Sequence, residues 1–84
     1  MKRQKTLYHC TTPKKLGRYK ASGRILPPVR GFTTPEAAQE WCRKTGRSLV
    51  LEVTGQDCHK LPDHHNKYGE AWWIDHDVIE WRTL

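Results

Sequence analysis

The chain has 84 residues, a mass of 9.9 kDa and a formal net charge of +6. That is the length of one small domain, 1–84, with no room for a second. No apolar run exceeds four residues, which excludes a membrane span of about 20, and the four Trp, three Tyr and one Phe argue for a packed core over disorder.

The basic start, residues 1–5, is read as a flexible tail, and no apolar stretch follows it as in a signal peptide. Thr6 to Thr11 is a short β-prone run. Thr12-Pro13 is an N-cap followed by Pro at the first helical position, opening a short basic turn or helix limited by Gly17 and Gly23. Arg24-Ile25-Leu26 reads as a brief strand stopped by Pro27-Pro28, and Val29 to Thr33 is again extended. Thr34-Pro35 repeats the cap-plus-Pro signal. Glu36 in the first turn, Arg43 and Lys44 in the last, and Gly46 beyond the end define a helix over 35–45. Ala37, Ala38, Trp41 and Cys42 share one face of it.

Ser48 to Thr54 alternates Leu49, Leu51 and Val53 to one face, as a strand does. Gly55 to Lys67 is polar and reads as a loop. Glu70 to Ile74 is a strand carrying Trp72 and Trp73, Asp75 to Asp77 a turn, and Val78 to Thr83 a final strand. Strands mixed with helices in this order place the chain in the α+β class.

Charge is divided along the chain. Residues 1–30 carry nine Lys or Arg and no acid, and residues 31–84 carry six basic and nine acidic residues. A one-sided basic segment attracts polyanions: nucleic acid, nucleotide phosphates or an acidic protein. A solvated face that keeps a small protein soluble accounts for the same charges. The cysteines Cys10, Cys42 and Cys58 are odd in number and widely spaced, which points to a reducing, cytoplasmic setting and not to a disulfide framework.

Four clusters carry possible chemistry. Leu7-Tyr8-His9-Cys10-Thr11-Thr12 places a His near a strand end before a capped turn, although a single His on a strand commonly serves packing. Arg30-Gly31-Phe32-Thr33-Thr34 combines a Gly that permits close backbone approach, an aromatic face and hydroxyls at a helix N-terminus. An ordinary capped strand-to-helix turn has the same composition. Tyr68-Gly69-Glu70-Ala71-Trp72-Trp73-Ile74 sets a carboxylate among bulky apolar groups, where it needs a partner or a use. An exposed Glu at a strand edge is the plain alternative. Cys58, His59, His64, His65 and His76 lack the C-x2-C spacing of a zinc site, so no metal is expected.

The order and type of the first three clusters resemble the ADP-ribosyltransferase fold family, whose members use NAD as donor. Leu7-Tyr8-His9-Cys10-Thr11 stands where members read L-Y-H-G-T. Gly31-Phe32-Thr33-Thr34, leading into Ala37, Ala38 and Trp41, stands where they read G-F/Y-Y-x-T and A-x-x-W/Y. Glu70 leads a strand followed by a last paired strand. The resemblance spans about 7–83 through short motifs. Two positions depart from the pattern: Phe32 where Tyr is usual, and Cys10 where Gly is usual.

The resemblance implies a split antiparallel sheet of about five to six strands with the main helix 35–45. It implies NAD as substrate and no metal. His9 would hydrogen-bond the NAD ribose, with Cys10 and Thr11 beside it. Phe32 would stack on nicotinamide, with Gly31, Thr33 and Thr34 lining the pocket. Glu70 would hold the ribose 2′-OH, with Glu80 as its rival, and Arg30 and Arg18 would hold the pyrophosphate. Loss of nicotinamide leaves an oxocarbenium-like ribose, and a carboxylate on the 2′-OH gains strength as that charge grows. The expected activity is transfer of ADP-ribose to an acceptor that is protein, nucleic acid or small molecule. The alternative is a non-catalytic basic module for nucleic acid or an acidic protein. No membrane partner is expected.

Overall fold

A computed structural model describes residues 4–63 and 65–84. The elements in chain order are β1 (Lys5–Thr11), α1 (Pro13–Ser22), β2 (Val29–Phe32), α2 (Pro35–Thr45), β3 (Leu49–Gly55), β4 (Cys58–Lys60), β5 (Ala71–Ile74) and β6 (Glu80–Thr83). The strands form one sheet in the order β4-β5-β2-β1-β3-β6, every neighbouring pair antiparallel. The class is α+β. Among the described residues no helix is long and apolar enough to cross a membrane.

Both helices begin and end on local chemistry. The Thr12 hydroxyl accepts from the Lys15 N–H, and the Thr34 hydroxyl accepts from the Ala37 N–H. Each helix closes on a glycine in the left-handed region, Gly23 at φ 76° and Gly46 at φ 72°, where a side chain would be strained. Gly17 does not limit α1: the helix runs through it to Ser22. An interior Gly costs only about 1 kcal/mol, and the two caps outweigh that.

The sheet buries both faces. On one, Leu7, Val29, Leu51, Val53 and Ile74 pack with Ile25 and Val78, and Leu16 and Tyr19 of α1 lie against them. On the other, Cys10, Phe32 and Ala71 pack with Ala37, Ala38 and Cys42 of α2, joined by Trp41. The helical face read from the sequence is the buried one.

Several boundaries differ from the sequence reading. Lys5 is not tail but the first residue of β1, paired with Gly55; residues 1–3 of the expected tail lie outside the described residues. Arg24 to Leu26 is not a strand, and Ile25 makes only an isolated bridge to Val78. The polar segment after Gly55 is not all loop, because Cys58–Lys60 pairs with β5 as the edge strand β4. An edge strand needs backbone pairing and no buried face, so alternation does not reveal it.

The sheet is nearly divided in two. Seven register pairs join β1 to β3 and four join β2 to β5, but a single pair, Tyr8 with Phe32, joins β1 to β2. The ladder between the two three-stranded halves is therefore reduced to one register pair, and a cavity opens beside it.

Candidate functional site

The cavity at the junction of the halves has a volume of about 220 Å³ and is lined by His9, Cys10, Lys15, Pro28, Arg30, Gly31, Phe32, Trp41, Arg47, Leu61 and Ala71. This is smaller than the roughly 300–1,000 Å³ of a pocket that engulfs a drug-sized ligand. It suits one ring of a larger molecule whose remainder lies outside. Among the described residues the charged side chains in the lining, Lys15, Arg30 and Arg47, are all cationic, so the cavity favours an anionic ligand.

His9 closes part of the gap between the halves. Its Nδ1 lies 2.5 Å from the Arg30 carbonyl oxygen. A carbonyl only accepts, so Nδ1 carries the proton. The ring thus links β1 to the β2 backbone beside the register pair that joins the two strands. Its Nε2 lies 3.4 Å from the Tyr19 hydroxyl, toward which the Thr11 hydroxyl donates at 3.5 Å. Burial pushes the His9 pKa below its usual 6.5; the Arg30 carbonyl pushes the other way, and the charges of Arg47 and Lys15 add to the lowering. The ring is neutral at pH 7, and Nε2 is the acceptor that faces the Tyr19 hydroxyl.

Gly31 is where β2 meets β1. A Cβ there would sit 2.8 Å from the Leu7 Cβ and 3.2 Å from the Tyr8 carbonyl oxygen. Phe32, only 6% exposed, packs against Trp41 with ring centroids 6.0 Å apart. The pair forms an aromatic wall and not a free-standing platform. Cys10 is buried, and its thiol donates to the Ala38 carbonyl at 2.7 Å. Burial pushes its pKa far up, with neighbouring Cys42 adding to the effect, so it stays a neutral thiol and a poor nucleophile.

The remaining expected residues lie outside the cavity. Thr11 is fully buried. The Thr33 hydroxyl accepts from the Glu70 N–H at 3.0 Å, and the Thr33 N–H donates to the Glu70 carbonyl at 3.0 Å. The Thr34 hydroxyl caps α2 and donates to the Tyr68 carbonyl at 2.8 Å. Both threonines fasten the β5 entrance to the start of α2.

Glu70 is thus tied by its backbone next to Phe32, but its carboxylate turns to the Lys60 ammonium at 2.5 Å, about half exposed. That ion pair, first among the causes, holds the Glu70 pKa below the usual carboxylate value. Glu80 opens β6, at the opposite edge of the sheet from β4 and β5, and is excluded from this cavity. Arg18 lines a separate groove along α1. The sequence reading missed Lys15, Arg47 and Leu61, whose only signals were charge and hydrophobicity.

Among the described residues no group of three or more His, Cys, Asp or Glu is placed to hold a metal. His64 lies outside the described residues. His76 and His65 serve the backbone instead: His76 Nε2 accepts from the Gln56 N–H at 2.9 Å and His65 Nδ1 from the Ala71 N–H at 2.8 Å.

Comparison of the chain with protein-family models, with curated proteins and with solved structures gave no match.

Proposed function

We propose that the chain is an NAD-binding protein of the ADP-ribosyltransferase type, with nicotinamide or its ribose in the cavity beside His9 and Phe32. The observation that carries this reading is the convergence of His9, Arg30, Gly31 and Phe32, from two motifs about twenty residues apart in sequence, on one cavity whose charged groups are all cationic. Lys15, Arg30 and Arg47 are suited to a pyrophosphate. A ribose hydroxyl would take the place of the Tyr19 hydroxyl at the lone pair of His9 Nε2. Glu70, one residue from Ala71 in the lining, is the carboxylate assigned to the 2′-OH. The carboxylate faces Lys60, so it takes the hydroxyl by turning from that ion pair toward the cavity.

In this mechanism the nicotinamide–ribose bond breaks, positive charge grows on the ribose, and the Glu70–hydroxyl bond strengthens with it. Removing the negative charge costs turnover more than binding.

One observation favours a second reading, a binding module without catalysis: the Glu70 carboxylate is directed at Lys60 and not into the cavity. Titration of NAD into isotope-labelled protein, with nicotinamide release followed in parallel, separates the readings. The transferase reading expects concerted shifts at His9, Arg30 and Phe32, with nicotinamide release that Glu70→Gln abolishes while the shifts remain. Shifts without release in the wild type leave the binding module. No shifts at millimolar NAD end both the NAD assignment and the transferase.

A further inference from the structure

We propose that the surface leaving the cavity on both sides of the sheet binds a single-stranded polynucleotide, which shares Lys15 and Arg30 with the phosphates of NAD. Two residues extend the cavity in opposite directions. Lys15 is shared with the groove along α1, which also presents Arg18. Arg30 lies beside Trp73 in the β2–β5 register, and Trp73 lies beside His59 in the β5–β4 register. The His59 and Trp73 rings stack with centroids 4.7 Å apart and planes 29° apart. His59 and Arg30 are exposed and Trp73 is half-buried.

The result is a stacking platform at one end and a run of cations toward the other. Among the described residues neither cavity lining contains an acidic residue. Arg24, at the far end of the α1 groove, is already paired with Asp77 at 3.0 Å, and Asp57 and Asp75 lie beyond the His59–Trp73 row. Glu70 flanks the track, its carboxylate held by Lys60, the residue after His59. Phosphates fit the cations, and a base fits the exposed ring stack, since every base has a π-face. A duplex hides its base faces and an acidic peptide has none, so a single strand fits best.

The test is fluorescence anisotropy of labelled oligothymidylate and oligouridylate of about 12 nucleotides, within the usual span of single-strand sites. Saturable binding is expected, with log affinity falling against log salt at a slope of about −2 to −3, as three to four single-strand phosphate contacts give. Whichever sugar binds tighter identifies the partner as DNA or RNA. Trp73→Ala should weaken binding by about five- to a hundredfold, the scale of one stacked base, and Trp73→Phe should restore most of it. Arg18→Glu should weaken binding and flatten the salt slope. Each variant is checked by circular dichroism. Absence of saturable wild-type binding at low salt overturns the proposal. So does wild-type affinity in both Trp73→Ala and Arg18→Glu, equal affinity for duplex, or equal competition by polyglutamate. NAD shifts that persist in Trp73→Ala while oligonucleotide binding falls show that Trp73 serves the polynucleotide and not NAD. Loss of the NAD assignment with oligonucleotide binding intact leaves this inference standing.

Discussion

Replacing Gly31 by Ala tests whether the two halves of the sheet are joined by close backbone approach. The added Cβ would lie 2.8 Å from the Leu7 Cβ, against 3.4 Å for an ordinary contact. Leu7 is fully buried and its Cβ is fixed to the backbone, so a side-chain rotation cannot relieve the clash. β1 and β2 would have to part by about 0.6 Å at their single register pair, Tyr8 with Phe32. Overpacking of this kind costs about 1–3 kcal/mol, which outweighs the roughly 0.4–1 kcal/mol gained by restricting the unfolded chain. For a domain of this size 1 kcal/mol corresponds to about 4–8 °C in Tm, so a fall of about 5–15 °C is expected. Urea unfolding measures the loss, and the NAD titration shows whether the His9 and Phe32 responses vanish with it. Gly17→Ala is the control. Its Cβ would meet nothing within 4 Å inside a helix, and it should stabilise by about 0.5–1 kcal/mol. If Gly31→Ala unfolds at the wild-type urea concentration, close approach at this glycine does not hold the halves together.

Three further outcomes follow from the same geometry. Thr34→Ala removes the cap on the Ala37 N–H and the bond to the Tyr68 carbonyl, and should cost about 1 kcal/mol in urea unfolding, the usual loss of a Thr cap. Lys60→Met removes the ion pair that holds Glu70 low, so the Glu70 carboxyl midpoint in an NMR pH titration should rise toward its ordinary value; an unmoved midpoint refutes the pairing. His9 has a folded-state pKa below its unfolded value of about 6.5 because burial disfavours the charged ring. Below that pH the unfolded chain binds more protons, so the His9 contribution to stability, present above about 6.5, is lost as pH falls through the lower folded pKa. His9→Asn keeps an N–H near the Nδ1 position but cannot titrate, so its unfolding midpoint should fall less steeply with acid than that of the wild type.

Features set by local chemistry were legible. The α2 helix was readable because Thr34, Glu36, Arg43, Lys44 and Gly46 each act on a neighbour within a few residues. Gly31 was readable as a point of close approach because only glycine leaves that space. Features that need partners far apart in sequence were not. The strand β4 carries no burial pattern, and only its pairing with β5 defines it. That same pairing sets Lys60 beside Glu70 and turns the carboxylate from the cavity, which no reading of the Glu70 strand alone could supply. Thr33 and Thr34 read as pocket hydroxyls, but their nearest orphan partners were backbone groups of Glu70, Ala37 and Tyr68.

The amino-acid sequence by itself determined the α+β class, the capped starts of both helical segments, the extent of α2 and its buried face, because capping and periodicity act over one or two turns of chain. The tertiary structure decided that the sheet divides between β1 and β2. It also decided that His9 bridges the division to the Arg30 carbonyl, and that Lys15 and Arg47 reach the same cavity. Strand order fixes these, because α1 and the turn after α2 reach one cavity only when β1 lies between β2 and β3. Sheet neighbours are chosen by side chains distant along the chain, so their meeting is a property of the packed molecule.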